Sequence, residues 1–256
     1  ALVNILETWT PQEKTDALTA FHERLLNHAR DYSLVGGMPE AVNRFLPHRD
    51  FMGASEAQLA ILDTYAQDFA KYRKRIPQER LERVFRAAPA NVGKKWVHAR
   101  ISPGEKAQAV EAALHALCKA QVLHRVFHTS ANGLPLAAER KEQIYKVLFL
   151  DVGLVGMQLG LSVKDLIDPA ALDRVDSGAL AEQWVGQLLL ASRPFNSTPE
   201  LHYWVREKVG SQAEVDYVVT RGPRIYPVEV KAGASARAKS LQVFMNEKKS
   251  PLGIHF

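Results

Sequence analysis

The sequence predicts a mixed α+β protein, and three observations carry that expectation. The first 90 residues place apolar side chains at helical spacing and show no catalytic constellation. Residues 79–153 change character, with helices followed by two strand-like runs. Beyond residue 176, one more amphipathic helix leads into strands joined by a Gly-Pro turn.

In chain order, Thr10-Pro11 reads as an N-cap followed by proline at the first helical position. The helix it opens, over 11–30, carries Leu18, Phe21, Leu25 and Leu26. Gly36-Gly37-Met38-Pro39 ends the pattern as a turn needing positive φ, and Pro39 opens the next helix. A longer helix is predicted over 55–74 on Leu59, Leu62, Tyr65, Ala66 and Phe69, and another over 79–88, stopped by Pro89. Ser102-Pro103-Gly104-Glu105 has capping-box spacing ahead of a helix carrying Val110, Leu114, Leu117 and Cys118. Strands over 122–127 and 145–150 follow. Helices and then a β-ribbon predict a winged-helix-like unit, which either docks on DNA or serves for packing and protein contacts. Residues 154–176 read as short helices and loops. Asp176-Ser177-Gly178 then caps a helix with Leu180, Ala181, Trp184, Val185, Leu188 and Leu189. Glu182 falls on the rim of that apolar stripe, where a carboxylate is usually a surface residue. The domain reading is a helical segment over 1–78, the winged-helix-like unit over 79–153 and an α/β core over 154–256.

Composition narrows the function classes. Hydrophobic content of 46% and charged content of 24% suit a globular chain rather than a disordered one. The single cysteine, Cys118, excludes an internal disulfide framework and a cysteine zinc site, and fits a reducing cytoplasm. No leader and no membrane-length apolar run is present, so no membrane partner is expected. A net charge of +5 permits nucleic-acid contact, for which Arg73, Lys74, Arg75, Lys94 and Lys95 are the candidates. A basic run of this kind also suits a solvated helix face. The histidines form no metal box, and His124 and His128 read as surface residues.

The densest chemistry lies in Glu214-Val215-Asp216 and Glu229-Val230-Lys231. The residues between them read as strand, turn and strand around Gly222-Pro223. Centring the hairpin there opposes Asp216 to Glu229 and Glu214 to Lys231. Residues two apart share a face, so these four groups converge, while Val215, Tyr217, Val219, Tyr226, Val228 and Val230 take the other face. Directly opposed carboxylates repel. Two readings follow: an exposed, salt-bridged face, or a divalent-cation site in which Mg²⁺ or Mn²⁺ relieves the repulsion.

The order of helix with glutamate, strand, strand with Asp, and strand with Glu-x-Lys resembles the PD-(D/E)XK nuclease-like fold, also called restriction-endonuclease-like. Gly36-Gly37-Met38-Pro39-Glu40, Leu150-Asp151-Val152-Gly153-Leu154, Gly178-Ala179-Leu180-Ala181-Glu182, Tyr203-Trp204, Glu214-Val215-Asp216 and Pro227-Val228-Glu229-Val230-Lys231-Ala232-Gly233 look like the C-terminal region of bacterial and archaeal AAA+ family ATPases carrying DUF4143. The resemblance implies a metal-dependent phosphodiesterase acting on nucleic acid, DNA favoured over RNA. It implies Asp216, Glu229 and the Val230 carbonyl as metal ligands, Glu182 as a further carboxylate, and Lys231 as the group that orients water and meets phosphate. Glu214 would brace Lys231 across the strands, and Lys239, Ser240 and Gln242 would lie near a phosphate. The alternative is a non-catalytic DNA-binding or partner-binding module that targets an attached ATPase. Two departures stand out. Val215 replaces the proline of the Pro-Asp pair, and no G-x-x-x-x-G-K-[ST] loop is present, so ATP is expected only in a longer parent with an N-terminal ATPase module. Leu252–Phe256 reads as the start of a fourth core strand, cut short.

Overall fold

The computed structural model describes residues 16–72, 75–161, 177–192, 196, 200–207, 213–231 and 239–256. The Thr10-Pro11 cap, the side chains of Leu18 and Phe21, Arg73, Lys74, the stretch 162–176 and Ala232-Gly233 lie outside the described residues. Helices α1 (Asp16–Val35), α2 (Pro39–Phe45), α3 (Phe51–Asp68), α4 (Gln78–Ala87), α5 (His98–Ile101) and α6 (Ala107–Lys119) come first. Strands β1 (Leu123–Thr129) and β2 (Arg140–Phe149) precede α7 (Val152–Gln158) and α8 (Ser177–Ala191). Then follow β3 (Leu201–Val205), β4 (Glu214–Arg221), β5 (Arg224–Glu229), α9 (Lys239–Lys248) and β6 (Ile254–His255). The fold is α+β, as expected.

All six strands form one mixed sheet in the order β2-β1-β3-β4-β5-β6. β1 is antiparallel to β2 and parallel to β3, so the ribbon expected as a wing is built into the same sheet as the acidic hairpin. Leu123 and Val147 of the ribbon share one core with Tyr203 and Tyr217. The strand expected near 252–256 is β6, parallel to β5.

The β4–β5 register pairs Tyr217 with Val228 and Arg221 with Arg224, the alignment expected from the Gly-Pro centre. The faces differ from expectation. Tyr217 and Val218 are both fully buried. Consecutive strand residues point to opposite faces, so the sheet is covered on both. Tyr217 donates its hydroxyl to the Glu182 carbonyl of α8 at 2.7 Å, while Val218 packs with Phe244 of α9. The β3–β4 pairing slips by one residue between His202↔Val218 and Trp204↔Val215. That irregularity sends Val215 to Trp204 and Phe244 rather than to the side of Tyr217.

Local expectations are corrected where a polar group found an interior partner. Leu59 is exposed and Gln58 is buried, because Gln58 Nε2 donates to the carbonyls of Leu34 and Val35 at the end of α1. Ser102 and Glu105 do not cap α6, which starts at Ala107; Arg83 reaches both of them and Arg80 binds Glu105. His128 is interior, 3% exposed, with Nε2 3.3 Å from the Val205 carbonyl.

Two of the singled-out motifs meet. Asp151 caps α7 by accepting from Gly153 N and Leu154 N at 3.0 and 3.2 Å. Its other oxygen accepts from Gly37 N at 2.7 Å and from Gln187 Nε2 at 3.1 Å. Gly36 has φ +69°, and a Cβ there would lie 1.9 Å from Asp151 Oδ1. The glycine pair and the aspartate thus form one joint between the helical half and the sheet.

Candidate functional site

The placement of Glu182 starts with α8. Gln183 is fully buried and completes the outer edge of β2, accepting from Phe149 N at 2.8 Å and donating to Phe149 O at 2.7 Å. One turn on, Gln187 accepts from Val152 N at 2.9 Å. Gly186 faces the sheet, where a Cβ would lie 2.4 Å from the Tyr217 hydroxyl. These contacts hold α8 close against the strands and bury Glu182. The surface position usual for such a carboxylate is not the one it takes: it is 9% exposed. From the helical half, Gly93 abuts it so closely that a Cβ would lie 2.6 Å from Glu182 Oε2.

Glu182 is buried because it has a counter-charge that the sequence reading missed. Lys146 of β2, its side chain 3% exposed, places Nζ 2.8 Å from Glu182 Oε1, 2.6 Å from Glu214 Oε1 and 3.7 Å from Asp216 Oδ1. The same ammonium lies 5.2 Å from the centre of the Tyr203 ring. Three carboxylates from α8 and β4 thus converge on one ammonium from β2. Glu214 does not brace Lys231, as had been expected, because the bulged β4 turns it toward Lys146. A signal was available: Lys146 interrupts the otherwise apolar run 144–150, and a lysine inside a buried strand requires acids around it.

The second part of the site is Glu229 with Lys231, 2.8 Å apart. Glu229 is 3% exposed, and its Oε2 is buried without a hydrogen-bond partner among the described residues. The paired register of the hairpin ends at Tyr217↔Val228, one step short of Asp216 and Glu229. Asp216 links the two parts, since Oδ1 faces Lys146 while Oδ2 accepts from Val230 N at 2.8 Å. The sequence placed all four polar groups of the hairpin together; the structure divides them into an Lys146 set and a Glu229–Lys231 pair, joined by Asp216.

Electrostatics follow from this crowding. Burial pulls the Lys146 ammonium down, but Glu182, Glu214 and Asp216 overcome that and raise it well above the ordinary lysine value. Burial pushes the Glu182 carboxyl up to about 7, because the Lys146 charge is shared with two other acids. Glu229 is raised, first by burial and further by the Asp216 charge, with Lys231 opposing. Burial is the first cause of both raised carboxyls, and the Asp216 charge adds to each.

The donor chemistry suits a hard divalent cation. Two carboxylates, a backbone carbonyl and waters match Mg²⁺ or Mn²⁺, and the buried Glu229 Oε2 is an acceptor without a donor among the described residues. Asp216, Glu229 and the Val230 carbonyl are the groups that would hold it. Among the described residues, no set of three or more His, Cys, Asp or Glu side chains is grouped for a metal, so backbone and water oxygens would complete the shell.

Of the basic candidates, Arg75, Lys94 and Lys95 are exposed, and Lys94 Nζ donates to the Ala90 carbonyl at 3.1 Å. Lys95 pairs through its backbone with Lys146, which places this basic strap beside the acids. Other basic residues nearby are matched locally, Lys71 by Asp68 and Arg86 by Glu82. Lys239, Ser240 and Gln242 lie in the first turn of α9. No helix among the described residues is long and apolar enough to cross a membrane.

Fold and site together define an α+β protein with a buried, incompletely neutralised acid–lysine centre. The chain belongs to the family described as Domain of unknown function (DUF8612), which matches residues 26–165. A second family, Domain of unknown function (DUF4143), matches residues 177–254, the part that carries Glu182, Asp216, Glu229 and Lys231. That match takes in the later of the motifs that resembled this family, from Gly178 to Gly233. No curated protein and no solved structure matches the chain.

Proposed function

We propose that this centre is a divalent-cation-dependent phosphodiester-cleaving site acting on nucleic acid, DNA in preference to RNA. The observation that carries the reading is Glu229: a buried carboxylate close enough to Asp216 to feel its charge, held by Lys231 on one oxygen and without a partner on the other among the described residues. A bound Mg²⁺ or Mn²⁺ would supply Lewis-acid chemistry and a more acidic water. Asp216 and Glu229 hold the charge that positions it. Lys231, 39% exposed, can turn outward to a phosphate oxygen and offset the charge that develops there. Lys94 and Lys95, exposed beside β2, would meet the phosphates of the nucleic acid. Work alongside an N-terminal ATPase module, with ATP bound there, is part of this proposal and rests on the motif resemblance.

The test is incubation of the chain with labelled DNA or RNA and Mg²⁺ or Mn²⁺. Cleavage lost in Asp216→Ala and in Glu229→Gln is the expected result. Cleavage that survives Asp216→Ala overturns the reading.

One observation favours a second reading, a non-catalytic nucleic-acid-binding or partner-binding module. Lys146 already neutralises part of the acid cluster, which gives Glu182 and Asp216 a structural reason to be present. Metal-independent, salt-sensitive DNA binding without turnover would select it.

A further inference from the structure

We propose that Lys146 is an internal counter-ion standing in the cation's place, and that a divalent cation held at Asp216 and Glu229 gains Glu182 as a further ligand by displacing the Lys146 ammonium toward Glu214. The inference rests on the metal-site reading above but concerns a residue which that reading does not use. Three observations support it. Lys146 Nζ is held by three carboxylates at 2.6–3.7 Å, the coordination of a cation rather than of a simple ion pair. Among the described residues a single ammonium is set against these three carboxylates, and Glu229 Oε2, buried near Asp216, has no hydrogen-bond partner there. The third is the gradient of exposure. Glu214 is 46% exposed while Glu182 and Asp216 are 12% and 14% exposed, so the shortest contact of Lys146 already points along its way out.

Exchange along that path keeps Lys146 paired. The ammonium remains with Glu214 at the rim, where water also solvates it, and the two inner carboxylates are released to the dication. A dication offsets their charge more fully than one lysine does. Displacing the lysine is a cost that every entering cation bears, so Lys146 sets the affinity of the site.

The experiment is a Mn²⁺ titration of the whole chain, with free Mn²⁺ read by electron paramagnetic resonance, on wild type, Lys146→Arg, Lys146→Met and Glu229→Gln. Removing the ammonium that the cation must displace should tighten Mn²⁺ binding in Lys146→Met by at least about tenfold. Lys146→Arg should bind as wild type does. Equal affinity in wild type and Lys146→Met overturns the inference; if that binding is lost in Glu229→Gln, the metal-site reading still stands. No Mn²⁺ binding in any of the proteins overturns both. Should Lys146→Met fail to fold, acetylation of wild type decides the matter, read at Lys146 by peptide mass spectrometry. The expected result is protection without Mn²⁺ and labelling when Mn²⁺ is saturating. Unchanged protection at saturating Mn²⁺ overturns the inference.

Discussion

Lys146 Nζ sits 2.8 Å from Glu182 Oε1, with the two side chains 3% and 12% exposed. A buried pair of this kind adds little net stability compared with an apolar pair, yet breaking it strands a charge. Lys146→Met should therefore cost about 3–5 kcal/mol in urea unfolding. Lys146→Met with Glu182→Gln should recover part of that loss. A single substitution that unfolds at the wild-type midpoint would show that the two groups are not coupled.

The joint at Asp151 predicts an asymmetry between two glycines that both have positive φ. Gly36, at φ +69°, has no room for a Cβ, which would lie 1.9 Å from Asp151 Oδ1. Gly222, at φ +59° in the β4–β5 turn, has nothing within 4 Å. Gly222→Ala should cost about 1–2 kcal/mol, the left-handed backbone penalty alone. Gly36→Ala should cost at least about 3 kcal/mol, because Asp151 must also give up its hydrogen bonds. Equal midpoints in chemical denaturation would contradict this.

Acid sensitivity should come partly from Glu111. It accepts from Tyr145 Oη and Arg125 at 2.5 Å and lies 2.9 Å from His98 Nε2. Burial raises this carboxyl, but those three partners outweigh it and hold it below its ordinary 4.5. A lowered folded-state value contributes stability above the unfolded value and loses it as pH falls through the folded one. Wild type should lose stability more steeply than Glu111→Gln from about pH 4.5 downward. Parallel curves of thermal midpoint against pH would count against the assignment.

Cys118 should be inert in the native protein. Burial pushes its thiol up to about 11, leaving almost no thiolate near neutrality. Iodoacetamide at pH 8 should label it slowly in buffer and rapidly in denaturant. Fast native labelling, followed by mass spectrometry, would refute the buried, protonated thiol.

The sequence by itself determined the α+β class, the hairpin register that pairs Tyr217 with Val228, the glycine turn at Gly36 and the strand at Ile254–His255. Each is a local property, written in strand alternation, turn chemistry or a positive-φ glycine. Only the tertiary structure decided that Glu182 is buried, that Glu214 faces Lys146 rather than Lys231, and that Val215 departs from the face of Tyr217. Lys146 and Glu182 are 36 residues apart, and Gly37 and Asp151 are 114 apart. No periodicity links such positions. Their meeting depends on how closely α8 packs against the sheet and on a one-residue slip between β3 and β4, and both follow from packing rather than from pattern.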